Sequence, residues 1–238
     1  MNLLWAACGA VLALPAGTVL RGAVARLSVP GDEPEEAACR SCAADLPDRP
    51  ALQCEHCGTW IGAPMAIELT AAAVLALLLA RIGPEPAAAA FAYLGVIGVA
   101  LAQIDVAVRR LPDQLTLAAY PALIILLALA AAFDDTWAVF VRALLGGLVL
   151  GTAYLVLGLF SAGQLGGGDI KLAGLIGLAL GWLGWGTLVT GASLGFILAA
   201  IVSLTLLAAR KVSRRAMISF GPFMLSGALL AVLASRWG

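Results

Sequence analysis

Apolar residues in this chain fall in long continuous runs, not at alternating positions. Eight runs stand out, near 2–20, 64–82, 87–105, 116–133, 138–161, 170–183, 187–209 and 220–236. A helical membrane span needs about 20 apolar residues, whereas the strands of a transmembrane barrel show period-2 alternation over about ten. The pattern predicts an all-α, polytopic membrane protein of about eight transmembrane helices. The first run has no basic start and no small-x-small cleavage site, so it reads as a retained helix and not as a leader. The sixth is short. The turn Gly181-Trp-Leu-Gly-Trp-Gly186 follows it, and Trp182 and Trp185 there would suit an aromatic belt at the far interface.

Composition narrows the class further. Of 238 residues, 62 % are apolar and 12 % charged, against about a quarter charged in soluble domains. That excludes a soluble globular domain, a disordered chain and a small secreted disulfide scaffold. Formal net charge is +0, so no global field draws a polyanion and nucleic acid is not an expected partner. With the N-terminus outside, eleven of the 14 basic residues fall in inside loops; only Arg81, Arg142 and Arg236 remain on the outer side. The positive-inside bias therefore places the long 21–63 segment in the cytoplasm. Three parts follow: a first transmembrane helix (1–20), a cytoplasmic loop (21–63), and a membrane-embedded body (64–238).

The loop opens on the acidic stretch Pro30-Gly-Asp-Glu-Pro-Glu-Glu36 and then holds four of the five cysteines, as Cys39-Arg-Ser-Cys42 and Cys54-Glu-His-Cys57. Two-residue spacing turns both thiolates of a knuckle toward one point, and two knuckles complete a tetrahedral sulfur site with arms of about 2.3 Å. A reducing cytoplasm disfavours the alternative of disulfides. Structural zinc on Cys39, Cys42, Cys54 and Cys57 is the expectation, because a closed four-thiolate site leaves no position for substrate and a loop this short cannot build its own core. His56 reads as a solvated neighbour, and Cys8 as a small packing residue in the first span.

Three acids border or interrupt apolar runs: Glu68, Asp105 and Asp169. Ionisable groups at such depth are costly and are functional candidates by default. Asp105 ends the third run and Asp169 opens the sixth, with two membrane crossings between them. Both must therefore lie at the same, cytoplasmic face. Two carboxylates that meet there can share a proton, one acting as base toward water and the other as acid toward a scissile carbonyl. Gly166, Gly167 and Gly168 remove side chains where an extended substrate could approach. The bland alternative is that each aspartate caps a helix. Asp113, after Pro112, reads as the N-cap of the fourth span. Glu68 suits a bundle-facing hydrogen bond, and Lys171 either steadies a carboxylate or snorkels.

Taken in order, these pieces resemble the prepilin peptidases, or type IV leader peptidases, a family of GxGD-type intramembrane aspartic proteases. The resemblance is carried by Ile104-Asp105 with Leu111-Pro-Asp113-Gln-Leu-Thr116, by Gly166-Gly-Gly-Asp169-Ile-Lys-Leu172, by the paired CxxC, by Pro64-x-x-x-Glu68-Leu, and by Phe220-Gly-Pro-Phe223. It implies that Asp105 and Asp169 are the catalytic pair, with Asp113 and Lys171 as neighbours. It implies cleavage of short basic leaders from pilin-like or pseudopilin precursors of type IV pili and protein secretion. The cut would fall after the leader's terminal Gly, at the cytoplasmic face of a prokaryotic inner membrane. Many members also methylate the new N-terminus with S-adenosylmethionine. Where members often carry a Gly-Ser-Phe-Leu-Asn-like run, this chain has Gly17-Thr-Val-Leu-Arg21, and the loop between the CxxC pairs is short. Competing readings are an intramembrane protease for another substrate class and a proton-coupled transporter using the two aspartates as a relay. Transporters of that kind usually show inverted repeats and midplane charges, and no repeat is visible here. The sequence leaves the oligomeric state open.

Overall fold

The computed structural model describes residues 3–27, 39, 41–42, 44, 53–59, 66–161, 165–210 and 219–237. Among these residues the regular structure is helical: α1 (Leu3–Leu27), α2 (Ala66–Ile82), α3 (Ala88–Val108), α4 (Asp113–Asp134), α5 (Trp137–Phe160), α6 (Gly167–Leu183), α7 (Trp185–Ala208) and α8 (Gly221–Ala234). By length and composition α3, α4, α5 and α7 can cross a membrane. The eight helices agree with the expectation of about eight spans, which are unequal in length. At 1.5 Å per residue, the 14-residue α8 is about 21 Å long, short of a hydrocarbon core of about 30 Å.

Helix α6 is the axis of the bundle. Every residue from Leu172 to Trp182 is buried, as expected for a helix apolar all round and enclosed on all sides. Burial on all sides also corrects one expectation: Trp182 is buried in the core instead of lying in an interfacial belt, while Trp185 is exposed. The one-residue break between α6 and α7 is Gly184, whose φ of 133° few side chains tolerate. On the outside, Phe133, Leu148, Leu159 and Phe160 stay largely exposed, which suits a bundle whose solvent is lipid.

α6 packs on α5 through small residues. A Cβ placed on Gly177 would stand 2.5 Å from the Gly146 carbonyl oxygen, so the two backbones meet directly. A second cluster joins α1, α2 and α3 through Ala13, Leu20, Ile67, Ala71, Leu75 and Ile104. The helix α3 serves both clusters, since Leu94 and Leu101 pack with the α6 side. Two of the basic residues that the sequence assigns to the outer side have structural work. Arg142 donates from Nε and Nη2 to the carbonyls of Gly181 (2.9 Å) and Trp182 (2.6 Å) at the end of α6. Arg81 does the same for Leu233 and Ser235 at the end of α8. A cation there satisfies orphan carbonyls and complements the negative helix end.

Several helix ends differ from the sequence reading. α1 runs to Leu27, seven residues past the expected end, and so carries Arg21 inside a helix where a loop was expected. The acidic stretch Pro30–Glu36 and the basic residues Arg40, Arg49, Lys211, Arg214 and Arg215 lie outside the described residues, as does Pro64.

Candidate active site

Asp105 lies in the last turn of α3 and Asp169 in the first turn of α6. The helices run in opposite directions, so both carboxylates sit at one end of the bundle. Asp105 is 5 % exposed. Its Oδ2 accepts a hydrogen bond from the Gly221 backbone N–H at 3.0 Å, which places it on the positive end of α8. A Cβ at Gly221 would stand 2.7 Å from that same oxygen and 3.5 Å from the Leu172 side chain. One residue therefore touches α3 on one side and α6, one turn beyond Asp169, on the other. The charge of Asp105 reaches Asp169.

The three glycines before Asp169 occupy different surroundings. A Cβ at Gly168 would press to 2.7 Å on the Leu111 side chain, one at Gly166 would face Asp169 Oδ2 at 3.5 Å, and one at Gly167 would meet nothing within 4 Å. Gly168 thus packs the segment after α3 against the start of α6. Gly167 leaves open space beside the carboxylates. Gly166 is the N-cap of α6, and no side chain caps the helix.

Asp113 is not the N-cap that its position after Pro112 suggested. The cap is Pro112, without a side-chain hydrogen bond, and Asp113 instead accepts from Lys171 Nζ at 2.5 Å. Lys171 steadies this carboxylate and not Asp169. Both partners are partly exposed, so the pair marks the rim where α4 meets α6. The Lys171 carbonyl accepts from the Tyr120 hydroxyl at 2.6 Å, a second tie between those helices.

Glu68 lies away from the aspartates. It pairs with Arg21 through Nε (2.9 Å) and Nη2 (2.5 Å), both side chains nearly fully buried. The bundle-facing hydrogen bond expected of Glu68 is present; its partner was not foreseen, because Arg21 reads as a loop residue. Gly221 was also missed as a contact of the site, and the Gly-Pro pair opening α8 was the signal available for it.

Outside the bundle the four thiols converge. The Sγ atoms of Cys39, Cys42, Cys54 and Cys57 lie within 4.8 Å of one another, close enough to hold one metal ion. The Cys39–Cys57 and Cys42–Cys54 separations are 3.6 Å and 3.7 Å, matching the edge of about 3.8 Å for a sulfur tetrahedron with 2.3 Å arms. Each knuckle closes the same way: the Cys39 N–H donates to the Ala44 carbonyl (2.8 Å) and the Cys54 N–H to the Thr59 carbonyl (2.9 Å). The Ser41 backbone N–H, then the Thr59 hydroxyl and the Cys42 N–H, hold the Cys39 thiol down at about 6. The Thr59 hydroxyl lowers Cys57 as well. Cys42 moves the other way, up to about 12, because the Ala44 backbone hydrogen bond that lowers it is outweighed by its hydrogen bond with Cys57 and by burial. The charge is thus shared unequally among thiols that a metal would bind as thiolates.

These features coincide with known sequences. Residues 91–234, which include both aspartates, match the type IV leader peptidase family. Two relatives from Burkholderia pseudomallei, strains 1026b and K96243, are each named prepilin leader peptidase/N-methyltransferase. Each is 33 % identical over 185 residues, covering 74 % of this chain and 56 % of the relative. The chain thus spans little more than half the length of these curated relatives. No solved structure matches it. On the extent of the family match and the order of its motifs, this multi-pass helical chain belongs to the type IV leader peptidase family.

Proposed function

We propose that the chain is a membrane-embedded aspartic endopeptidase that removes the leader of type IV prepilin-like or pseudopilin precursors. The observation that supports this reading is that Asp105 and Asp169 lie at the same end of the bundle, with Gly221 at the start of α8 set between Asp105 and Leu172. Asp105 is the base: Oδ2 is already committed as an acceptor from Gly221, and Oδ1 is left to take a proton from water. Asp169 is the acid. Water oxygen bonds to the scissile carbonyl carbon, its proton passes to Asp105, and the Asp169 proton passes to the carbonyl oxygen. The tetrahedral species then collapses as the C–N bond breaks. The proton on Asp105 goes to the leaving amine, and a hydroxyl proton returns to Asp169. Gly167 leaves room for the extended peptide.

The division of the chain is proposed as an outer-to-inner first helix (1–20), a cytoplasmic loop (21–63) and the peptidase body (64–238), in the inner membrane of a prokaryote. The N-terminus is outside and the site cytoplasmic, supported by the positive-inside bias. Cys39, Cys42, Cys54 and Cys57 hold structural Zn²⁺, supported by the thiol spacing. The test is cleavage by purified, detergent-solubilised protein of a precursor bearing a basic leader, Gly and an apolar helix. Asp105→Asn and Asp169→Asn should each lower turnover by about 10²–10⁴-fold or more with the fold retained. Full activity in either variant would sink the assignment. A parallel reaction with S-adenosylmethionine decides by product mass whether methylation follows. Failure of a folded wild type to cleave would favour another substrate class, then the proton relay.

A further inference from the structure

The seam that α5 turns toward α6 is Gly147, Gly151, Tyr154 and Gly158, repeating at helical spacing. A Cβ at Gly151 would lie 3.6 Å from Gly174, and one at Gly158 would lie 3.3 Å from the Ile170 side chain. Tyr154 falls between these two contacts, opposite the first turns of α6 where Asp169 sits. It is the one hydroxyl among the residues that α5 buries, the others being Ala143, Gly146, Gly147 and Leu150. Its ring is 2 % exposed and stacks with Phe196 (5.6 Å between centroids) and Phe220 (6.2 Å). Phe220 immediately precedes Gly221, whose N–H holds Asp105.

The fully buried, unpaired side-chain oxygens among the described residues are Thr136 Oγ1 and Ser219 Oγ; the Tyr154 hydroxyl is not one of them, so it opens on space that a ligand atom can reach. Among the described residues Tyr154 makes no hydrogen bond, although the Asp169 charge acts on it. The ring is locked by aromatic contacts while the donor is left uncommitted. That is the condition under which a donor serves a charge that exists only in the transition state, because orienting it costs nothing when the reaction occurs. The existing pair needs such a group. Asp169 gives one hydrogen to the carbonyl oxygen, and a second donor would share the charge that develops on it.

We infer that Tyr154 is a third catalytic residue, whose hydroxyl donates a hydrogen bond to the scissile carbonyl oxygen as the tetrahedral intermediate forms. No proton is transferred to or from Tyr154; it shares its hydrogen with the oxygen that Asp169 protonates. The inference rests on the peptidase reading above.

Tyr154→Phe keeps the ring, its volume and its stack, and removes only the donor. Wild type and variant are compared as full-length protein on the leader–Gly–helix precursor, with kcat and KM resolved over a pH series and the folded fraction measured alongside. The expected result is a fall in kcat of about 10²-fold, an unchanged KM, and pH midpoints at their wild-type positions. Equal kcat per folded molecule would overturn the inference. So would a fall accompanied by displaced pH midpoints, since the hydroxyl would then act by positioning Asp169 and not at the substrate oxygen. A wild type without turnover strikes the peptidase reading itself, and this inference falls with it. Turnover in wild type with an indifferent Phe variant strikes this inference alone.

Discussion

At the scale of single residues, the site depends more on what is missing than on what is present. Gly221 brings a backbone N–H to Asp105 because it has no Cβ; with one, an atom would stand 2.7 Å from the carboxylate oxygen. Either Asp105 or the start of α8 would have to move. A displacement of about 1 Å at a reacting group can cost about 10²-fold in rate, so Gly221→Ala should cut kcat by that order. Unfolding should change far less, because the Ala methyl crowds one carboxylate and opens no cavity. Cleavage by Gly221→Ala at the wild-type rate would show that the Gly221 contact does not orient Asp105. The glycine triplet makes a parallel point. Written in one line, Gly166, Gly167 and Gly168 look equivalent, and the sequence assigned all three to substrate access. The fold separates them, since Gly168 is filled by Leu111 and Gly167 stays open. Gly168→Ala should therefore lower stability, read by thermal unfolding in detergent, where Gly167→Ala leaves it near wild type. Equal losses would mean that Gly167 is packed as closely as Gly168.

Between elements, the question is what fixes one helix against another when lipid removes the usual hydrophobic drive. For α5 and α6 it is backbone contact through glycine. For α1 and α2 an ion pair joins a backbone contact at Gly9, whose Cβ would stand 2.7 Å from the Leu75 carbonyl oxygen. Arg21 and Glu68 are nearly fully buried and joined by two hydrogen bonds, and Gly17 gives Glu68 room, its absent Cβ 2.8 Å from Cγ. Removing one partner of a buried pair costs about 3–5 kcal/mol, while replacing both with apolar residues of similar volume is often neutral. Glu68→Ala should accordingly lower the free energy of unfolding by about 3 kcal/mol, and Arg21→Met with Glu68→Leu should recover most of it. A double variant as unstable as the single one would sink the pair as the element that registers α1 on α2. The same pair marks where sequence reading stopped. The apolar runs and the common face of Asp105 and Asp169 were legible, because span length and crossing number follow from hydropathy alone. The end of α1 was not, since a charge closing an apolar run reads as solvent until a partner 47 residues away neutralises it. Asp113 failed for a related reason: local spacing suggested a cap, and a lysine 58 residues on claimed the carboxylate.

For the molecule as a whole, the thiol cluster and the carboxylate site are separate constructions. The cysteines sit in a segment closed by its own turns, Cys39 to Ala44 and Cys54 to Thr59, and among the described residues no acid belongs to their cluster. The aspartates sit among helices whose packing owes nothing to those residues. Metal should therefore matter to the loop and not to the chemistry. A segment lacking an apolar core takes its folding free energy from the metal, so chelation, or Cys57→Ser, should reduce bound zinc from about one per chain and expose 28–65 to added protease. Zinc restored to the chelated wild type should reverse both effects; zinc added to Cys57→Ser should not. Meanwhile kcat per folded molecule should hold near the wild-type value, since the proposed mechanism activates water with a carboxylate and no open metal position exists at four thiolates. Two results would break this argument at different joints. Protease resistance that survives complete zinc removal would mean the knuckles fold without metal, as a thiol cluster closed by hydrogen bonds. A kcat that collapses with zinc content, while the helices remain folded, would mean that the loop reaches the carboxylates and that the two constructions are one.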